Sequence, residues 1–229
     1  PVTVSRLMTK YKSENAPDRV KKVVTAGLLI TVLISVPVCA VFYVAGGKFS
    51  FLFADERCVA IFRVILPGLV FTSLYAVFRG VFWGNKDFLP YSVIELLEEA
   101  CMILVGIILI NGCADAYTGA FRAGVAVLVS YVFSFTLATI VFIVRKNKLS
   151  DPRTEIVPLI AAATPVTAMR TANALGASIV SVVFPLRLVA AGFTESQAMS
   201  LFGAAVGQAL PILFIPTTLI GSFTLVLVP

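Results

Sequence analysis

The chain has 229 residues, of which 59% are hydrophobic and 13% charged, and its mean hydropathy is +0.99. A water-soluble domain of this composition would be left with far too apolar a surface, so the composition indicates a membrane protein. The net charge of +6 does not indicate nucleic acid, because Lys and Arg lie beside apolar segments and form no stripe interleaved with aromatics.

Before the first apolar stretch comes a polar segment carrying Arg6, Lys10, Lys12, Arg19, Lys21 and Lys22. It is too long for the short basic region of a signal peptide, which predicts internal insertion. Six apolar stretches follow, at 23–45, 59–83, 90–110, 123–144, 158–184 and 200–228. At about 1.5 Å per residue each covers a hydrocarbon core of roughly 30 Å, some with length to spare for tilt. The expected fold class is therefore all-α, a polytopic membrane protein with six transmembrane helices.

Orientation follows from the loops. The second connection carries Lys86 beside Arg79, and the fourth carries Arg145, Lys146, Lys148 and Arg153. The intervening connections hold only Lys48 and Arg57, then Arg122, then Arg187. Basic loops stay in the cytoplasm, which places the leading segment, 85–89 and 145–157 there, with both ends on or near the cytoplasmic side. The chain starts at Pro1 without a methionine and stops at Pro229 straight after an apolar stretch, so it is expected to be an internal piece of a longer protein.

Glu95, Glu98 and Glu99 are spaced i, i+3, i+4 and share one face of the third stretch. A charge at a helix centre costs about 2.5 to 3.5 kcal/mol on the insertion scale, whereas each Leu, Ile, Phe or Val returns only about 0.3 to 0.6. That face must look into a wet cavity, meet cations or hold protonated acids. One reading is an ion pair with Arg79 across the short turn before Pro90; another is a cavity wall or a site linked to protons or Na+. Arg63 lies near the outer end of its stretch, where it can snorkel to the headgroups. Arg170 lies about a dozen residues into the fifth stretch, with Asn173 one turn further on. An arginine at that depth wants an anion, either a phosphate or diphosphate on a lipid carrier or an internal carboxylate.

The chain contains no histidine, and Cys39, Cys58, Cys101 and Cys113 form no CxxC pair. Zinc and histidine-based catalysis are accordingly disfavoured, and neither a metal nor a cofactor is expected. Cys58 and Cys113 both fall on the expected outer side, so a disulfide is one reading and two free thiols the other. Pro37, Pro67, Pro165, Pro185, Pro211 and Pro216 fall within or at the edges of the stretches and permit kinks. Gly80 with Gly84, and Gly203 with Gly207, form GxxxG pairs suited to close helix approach. The connection RKNKLSDPRTEIV at 145–157 is longer and of mixed charge, as a linker between two groups of helices would be.

The stretch TPVTAMRTAN at 164–173 and the run from PLRLVAAGFTESQAMSLFGAAVGQALP onward resemble the seventh and eighth helices of the stage V sporulation protein B group. That group is related to the lipid II flippase MurJ and to polysaccharide exporters of the multidrug/oligosaccharidyl-lipid/polysaccharide (MOP) superfamily. PVTVSRLMTKYKSEN resembles its cytoplasmic loop after the second helix, and RGVFWGNKDFLPYSVIELLEEACMILVGIILI its hairpin of helices four and five. The resemblance covers nearly the whole chain in order. It implies helices three to eight of a fourteen-helix, two-lobe transporter. Residues 1–144 would then close the N-terminal lobe, 145–157 form the cytoplasmic interlobe linker, and 158–229 open the C-terminal lobe.

Such proteins move lipid-linked sugars by alternating access. The expected function is therefore a flippase of the bacterial cytoplasmic membrane handling an undecaprenyl-diphosphate-linked peptidoglycan or polysaccharide precursor. Arg170, Asn173 and Arg79 would contact the substrate, with Glu95, Glu98 and Glu99 lining or gating the cavity. A cation-coupled multidrug exporter of the MATE type is the alternative, favoured if the acids bind H+ or Na+. A membrane transferase is disfavoured because no histidine and no clustered Asp motif sits at a membrane edge.

Overall fold

The computed structural model describes residues 1–45, 57–113, 115–218 and 220. Lys48, the side chain of Arg57 and residues 221–228 of the sixth expected span lie outside the described residues. Among the described residues the secondary structure is helical, without strands.

The polar leading segment is itself a helix, α1 (Val2–Ser13). Val4, Met8 and Tyr11, spaced i, i+4, i+7, are its buried face, while Lys10 and Lys12 sit in the last turn where cations oppose the carbonyl end of the helix dipole. A short reversal leads to α2 (Pro17–Ala45), which opens with proline and an Asp18 in its first turn. Next come α3 (Arg57–Ile65) and α4 (Gly68–Gly84). The break between them falls at Pro67, whose missing N–H cannot bond the Arg63 carbonyl. Helix α5 (Phe88–Ile110) is followed by α6 (Ala116–Val144), whose N-cap Asp115 accepts from the Thr118 N–H at 3.2 Å. Then comes α7 (Ile156–Ala190), with Pro165 and Pro185 inside it.

Four helical segments are long and apolar enough to cross a membrane: Pro17–Ala45, Cys58–Gly84, Ala116–Val144 and Ile156–Ala190. They match the first, second, fourth and fifth expected spans. The third has the length, as the 23-residue α5, but three glutamates set it apart from the four. The sixth is divided into α8 (Glu195–Ala204), a π-helical turn (Ala205–Ala209) and the short α9 (Leu210–Leu213).

Two compact units divide the chain, Pro1–Thr164 and Pro165–Pro229. In the first, α6 is the hub. Its buried residues Ala126, Ser130, Ser134, Ala138 and Phe142 recur every four positions, so small side chains line one face and let α3, α4 and α5 pack closely against it. Aromatic rings at heptad spacing complete the α4 contact. Phe71 and Phe78 of α4 meet Phe135 at centroid distances of 5.7 and 6.0 Å, and Phe78 meets Phe142 at 5.0 Å. At the far end Gly124 faces Ile61 and Ile65, and a Cβ on Gly68 would stand 2.7 Å from the Tyr131 ring.

Helix α1 lies across α4 and α2 at what we term the basic end of this unit. The Gly80/Gly84 pair receives it: a Cβ on Gly80 would lie 2.7 Å from the Pro1 carbonyl oxygen, and one on Gly84 3.0 Å from the Met8 Cβ. This GxxxG pair thus seats an amphipathic helix, whereas Gly203 and Gly207 have nothing within 4 Å among the described residues. The four cysteines are free thiols.

In the second unit Gly192 (φ +100°) ends α7, and Thr194 and Gln197 form a reciprocal capping box that starts α8. Phe184 and Phe202 pair at 5.8 Å between these helices. Most side chains here are exposed and apolar, Ile179 at 62% and Ile212 at 68%, as a lipid-facing surface requires.

The seating of α1 makes a specific prediction. Gly84→Val should push α1 off α4 at a cost of about 1 to 3 kcal/mol, read as a lower melting temperature in detergent and faster tryptic cleavage at Lys10 and Lys12. The matching change at Gly203, where space is open, should leave both unaltered.

Candidate functional site

The polar groups of the third span are built onto the wall formed by α4, α5 and α6. Arg79 of α4 donates to Glu95 of α5 at 2.6 Å, and the guanidinium lies 5.6 and 5.7 Å from the rings of Trp83 and Tyr91. Those two rings meet edge to face at 5.5 Å, so the cation lies beside an aromatic pair as well as a carboxylate. The Tyr91 hydroxyl also reaches Glu95. One turn further along α5, Glu98 lies near Ser134, whose hydroxyl donates to the Tyr131 carbonyl at 3.2 Å. Glu99 is exposed and has no partner among the described residues. One guanidinium therefore faces three carboxylates, leaving two without a cationic partner.

Two donors on the same wall are buried without a hydrogen-bond partner among the described residues, the Tyr75 hydroxyl and the Arg79 Nε. They lie one turn apart on α4. The open donors suit the oxygen of a water molecule, and the unbalanced carboxylates beside them suit a proton or a cation. The sequence offered Arg79, Glu95 and the acid face but not Tyr75 or Ser134. The available signal was the SxxxS pair Ser130/Ser134 in register with the small-residue stripe.

Arg63 ends α3 with its Nε buried and without a partner among the described residues. Arg170 and Asn173 lie on the part of α7 that belongs to the second unit, where both are exposed and make no hydrogen bond or ion pair among the described residues. No group of three or more His, Cys, Asp or Glu side chains among the described residues is arranged to hold a metal.

A second polar constellation went unseen in the sequence. Glu155 precedes α7 and is 1% exposed. Its Oε2 accepts from the Tyr11 hydroxyl at 2.6 Å, and its Oε1 from Arg19 Nε at 2.8 Å. Arg19 also donates to the Tyr11 oxygen at 2.8 Å and stacks 3.9 Å over the Tyr11 ring. Burial raises the Glu155 carboxyl pKa, but the bonds from Arg19 and Tyr11 outweigh it and hold the group below the ordinary carboxylate range. Burial first, then the bond to Glu155, raise the Tyr11 hydroxyl above its usual value. This triad ties α1, the start of α2 and the 145–157 connection together, aided by the Ser150 N–H donating to Thr25 Oγ1 at 3.0 Å. The sequence signal was slight: a lone acid between a basic linker and an apolar helix, where an anion also meets the helix N-terminus.

Both constellations are testable. In a double-mutant cycle, Arg79→Ala and Glu95→Gln should couple by about 1 to 2 kcal/mol in detergent unfolding; additive effects would mean that the pair does not contribute. Because Glu155 has a depressed pKa when folded, its stabilisation is present above the ordinary carboxylate range and disappears as pH falls below it. Melting temperature should therefore drop below about pH 4, and Glu155→Gln should start lower at neutral pH and lose part of that acid dependence.

No family model matches the chain, and neither a curated protein nor a solved structure matches it.

Proposed function

We propose that the protein is a multi-pass transporter of the bacterial cytoplasmic membrane that moves an undecaprenyl-diphosphate-linked peptidoglycan or polysaccharide precursor by alternating access. In this reading it is related to the stage V sporulation protein B and MurJ-like flippases of the MOP superfamily. The observation that carries the reading is the polar wall of Arg79, Glu95, Glu98, Ser134 and Tyr75 on helices that are otherwise apolar. Such a wall is costly against lipid and useful beside a water-filled path. Arg170 and Asn173 of α7, which have no partner among the described residues, supply hydrogen-bond donors of the kind a diphosphate headgroup needs.

In the same reading α5 and the segment beginning with α8 complete six spans, and the basic end is cytoplasmic. Residues 1–144 close one lobe, 145–157 link the lobes and 158–229 open the next. Translocation requires no bond chemistry, so no catalytic residue is assigned. The excess of carboxylates over guanidinium on the α5 face favours one alternative, a MATE-type exporter coupled to H+ or Na+.

The discriminating experiment is transport in proteoliposomes. Arg170→Ala should abolish translocation of lipid-linked precursor at normal abundance and leave the melting temperature unchanged, since Arg170 makes no hydrogen bond or ion pair among the described residues; full transport by this variant would remove it from the site. Drug efflux that depends on pH in the parent and loses that dependence in Glu98→Gln would favour the exporter instead.

A further inference from the structure

The basic end of the first unit holds more cations than its helix ends can use. Two adjoining hollows of about 400 and 550 Å³ open there, sharing Lys12, Asn85 and Asn147. Their linings carry Lys12, Lys21, Lys86, Arg145, Lys146 and Lys148 against a single acid, Asp87. Asp87 is held by Arg145 at 3.0 Å, and Lys21 is held by Asp18 at 2.8 Å. Lys12 donates to the Gly84 carbonyl at 2.9 Å and to Asn85 Oδ1 at 2.5 Å, so it is spent on neutral oxygens. Lys86, Lys146 and Lys148 have no acidic partner among the described residues.

The backbone points the same way. Lys86 (φ 57°) and Lys146 (φ 54°) both occupy the left-handed position just beyond a helix end. The Asp87 N–H donates to the Phe82 carbonyl at 3.0 Å, and the Asn147 N–H to the Phe142 carbonyl at 3.3 Å, the bonding of a glycine-type helix stop. The same stop after α7, away from the basin, uses Gly192. A side chain at such a position costs about 1 kcal/mol or more relative to glycine. A lysine near a carbonyl end regains only about 0.3 to 1 kcal/mol from the helix dipole. Here three cations crowd the end of α6 alone and repel one another. The α4 and α6 carbonyl ends are already bonded by the turn N–H groups and Lys12, so the dipoles do not account for this excess, and a loop-charge bias accounts for its sign but not for lysines at the two left-handed positions.

We propose that this basin binds a phosphate-bearing anion, held by Lys86, Lys146 and Lys148 with the Asn85 Nδ2, while Asn147 Nδ2 donates to the Phe142 carbonyl at 3.2 Å. The ligand is either the headgroup of an anionic membrane lipid or a soluble phosphate ester. The smaller hollow has an apolar floor of Met8, Val20, Val24 and Phe142 beneath its lysines, which suits a headgroup with its chain attached. The site lies wholly in the first unit and does not depend on the transport reading.

The test uses the full chain in neutral detergent. It is titrated with dioleoyl phosphatidylglycerol, with zwitterionic phosphatidylcholine, whose phosphate is neutralised by its own ammonium, as the net-neutral control, and separately with inorganic pyrophosphate. Saturable binding of phosphatidylglycerol or pyrophosphate, weakened by salt, is expected, and phosphatidylcholine should not bind. Phosphatidylglycerol alone saturating assigns a lipid headgroup; pyrophosphate alone saturating assigns a soluble phosphate. Lys146→Gly with Lys148→Gln should weaken binding roughly 25-fold, at about fivefold per lysine, without lowering the melting temperature, because glycine relaxes the left-handed position. Lys10→Gln with Arg153→Gln removes two charges outside the basin and should leave binding unchanged. The proposal is overturned if neither anion saturates, if the basin variant binds like the parent, or if the outside pair weakens binding equally.

Discussion

Close approach along α6 is the constraint on which the first unit depends. Long apolar helices gain little from burying one another in an apolar surrounding, so contact must come from shape. The stripe Ala126, Ser130, Ser134, Ala138 and Phe142 supplies a narrow face, and the phenylalanines of α4 fill the space that its small members leave at either side. With that face occupied by both α4 and α5, Arg79 and Glu95 come within 2.6 Å although sixteen residues separate them. A bulky residue at Ser134 would part the helices and separate the guanidinium from the carboxylate on helices that are otherwise apolar.

The basic end is held by a different kind of contact. Helix α1 rests on the two glycines of α4, and the Tyr11–Arg19–Glu155 triad fastens the entry of α7 to it. A carboxylate 1% exposed is tolerated because both oxygens accept hydrogen bonds and one donor carries a charge. The triad thereby sets where the 145–157 connection runs. Together with the helix stop after α6, it keeps Lys146 and Lys148 at the same end of the unit as Lys86 of the α4–α5 turn.

These two regions divide the labour of the unit. The α4–α5–α6 wall keeps an excess of acid and two open donors within apolar helices, whereas the basic end keeps an excess of cation where the helices stop. Each excess persists because packing elsewhere holds the backbone in place: the small-residue stripe for the first, the glycine seat and the triad for the second. The left-handed Lys86 and Lys146 show the same economy, a local strain carried by the surrounding helix stops.

The sequence by itself determined the helical class and four of the long apolar helices, because hydrophobic length is summed locally. It also determined that Glu95, Glu98 and Glu99 share a face, since that follows from helical periodicity alone. Tertiary packing decided which acid takes the arginine, as only Glu95 stands opposite Arg79 once α4 and α5 meet across the α6 stripe. It decided that Gly80 and Gly84 seat α1, because a GxxxG pair states that something may approach but not what. It turned the leading segment from an expected loop into a packed helix and buried Glu155, a residue with no local pattern. Those outcomes depend on groups far apart in the chain, Tyr11 and Glu155 being 144 residues apart, and no local periodicity encodes them.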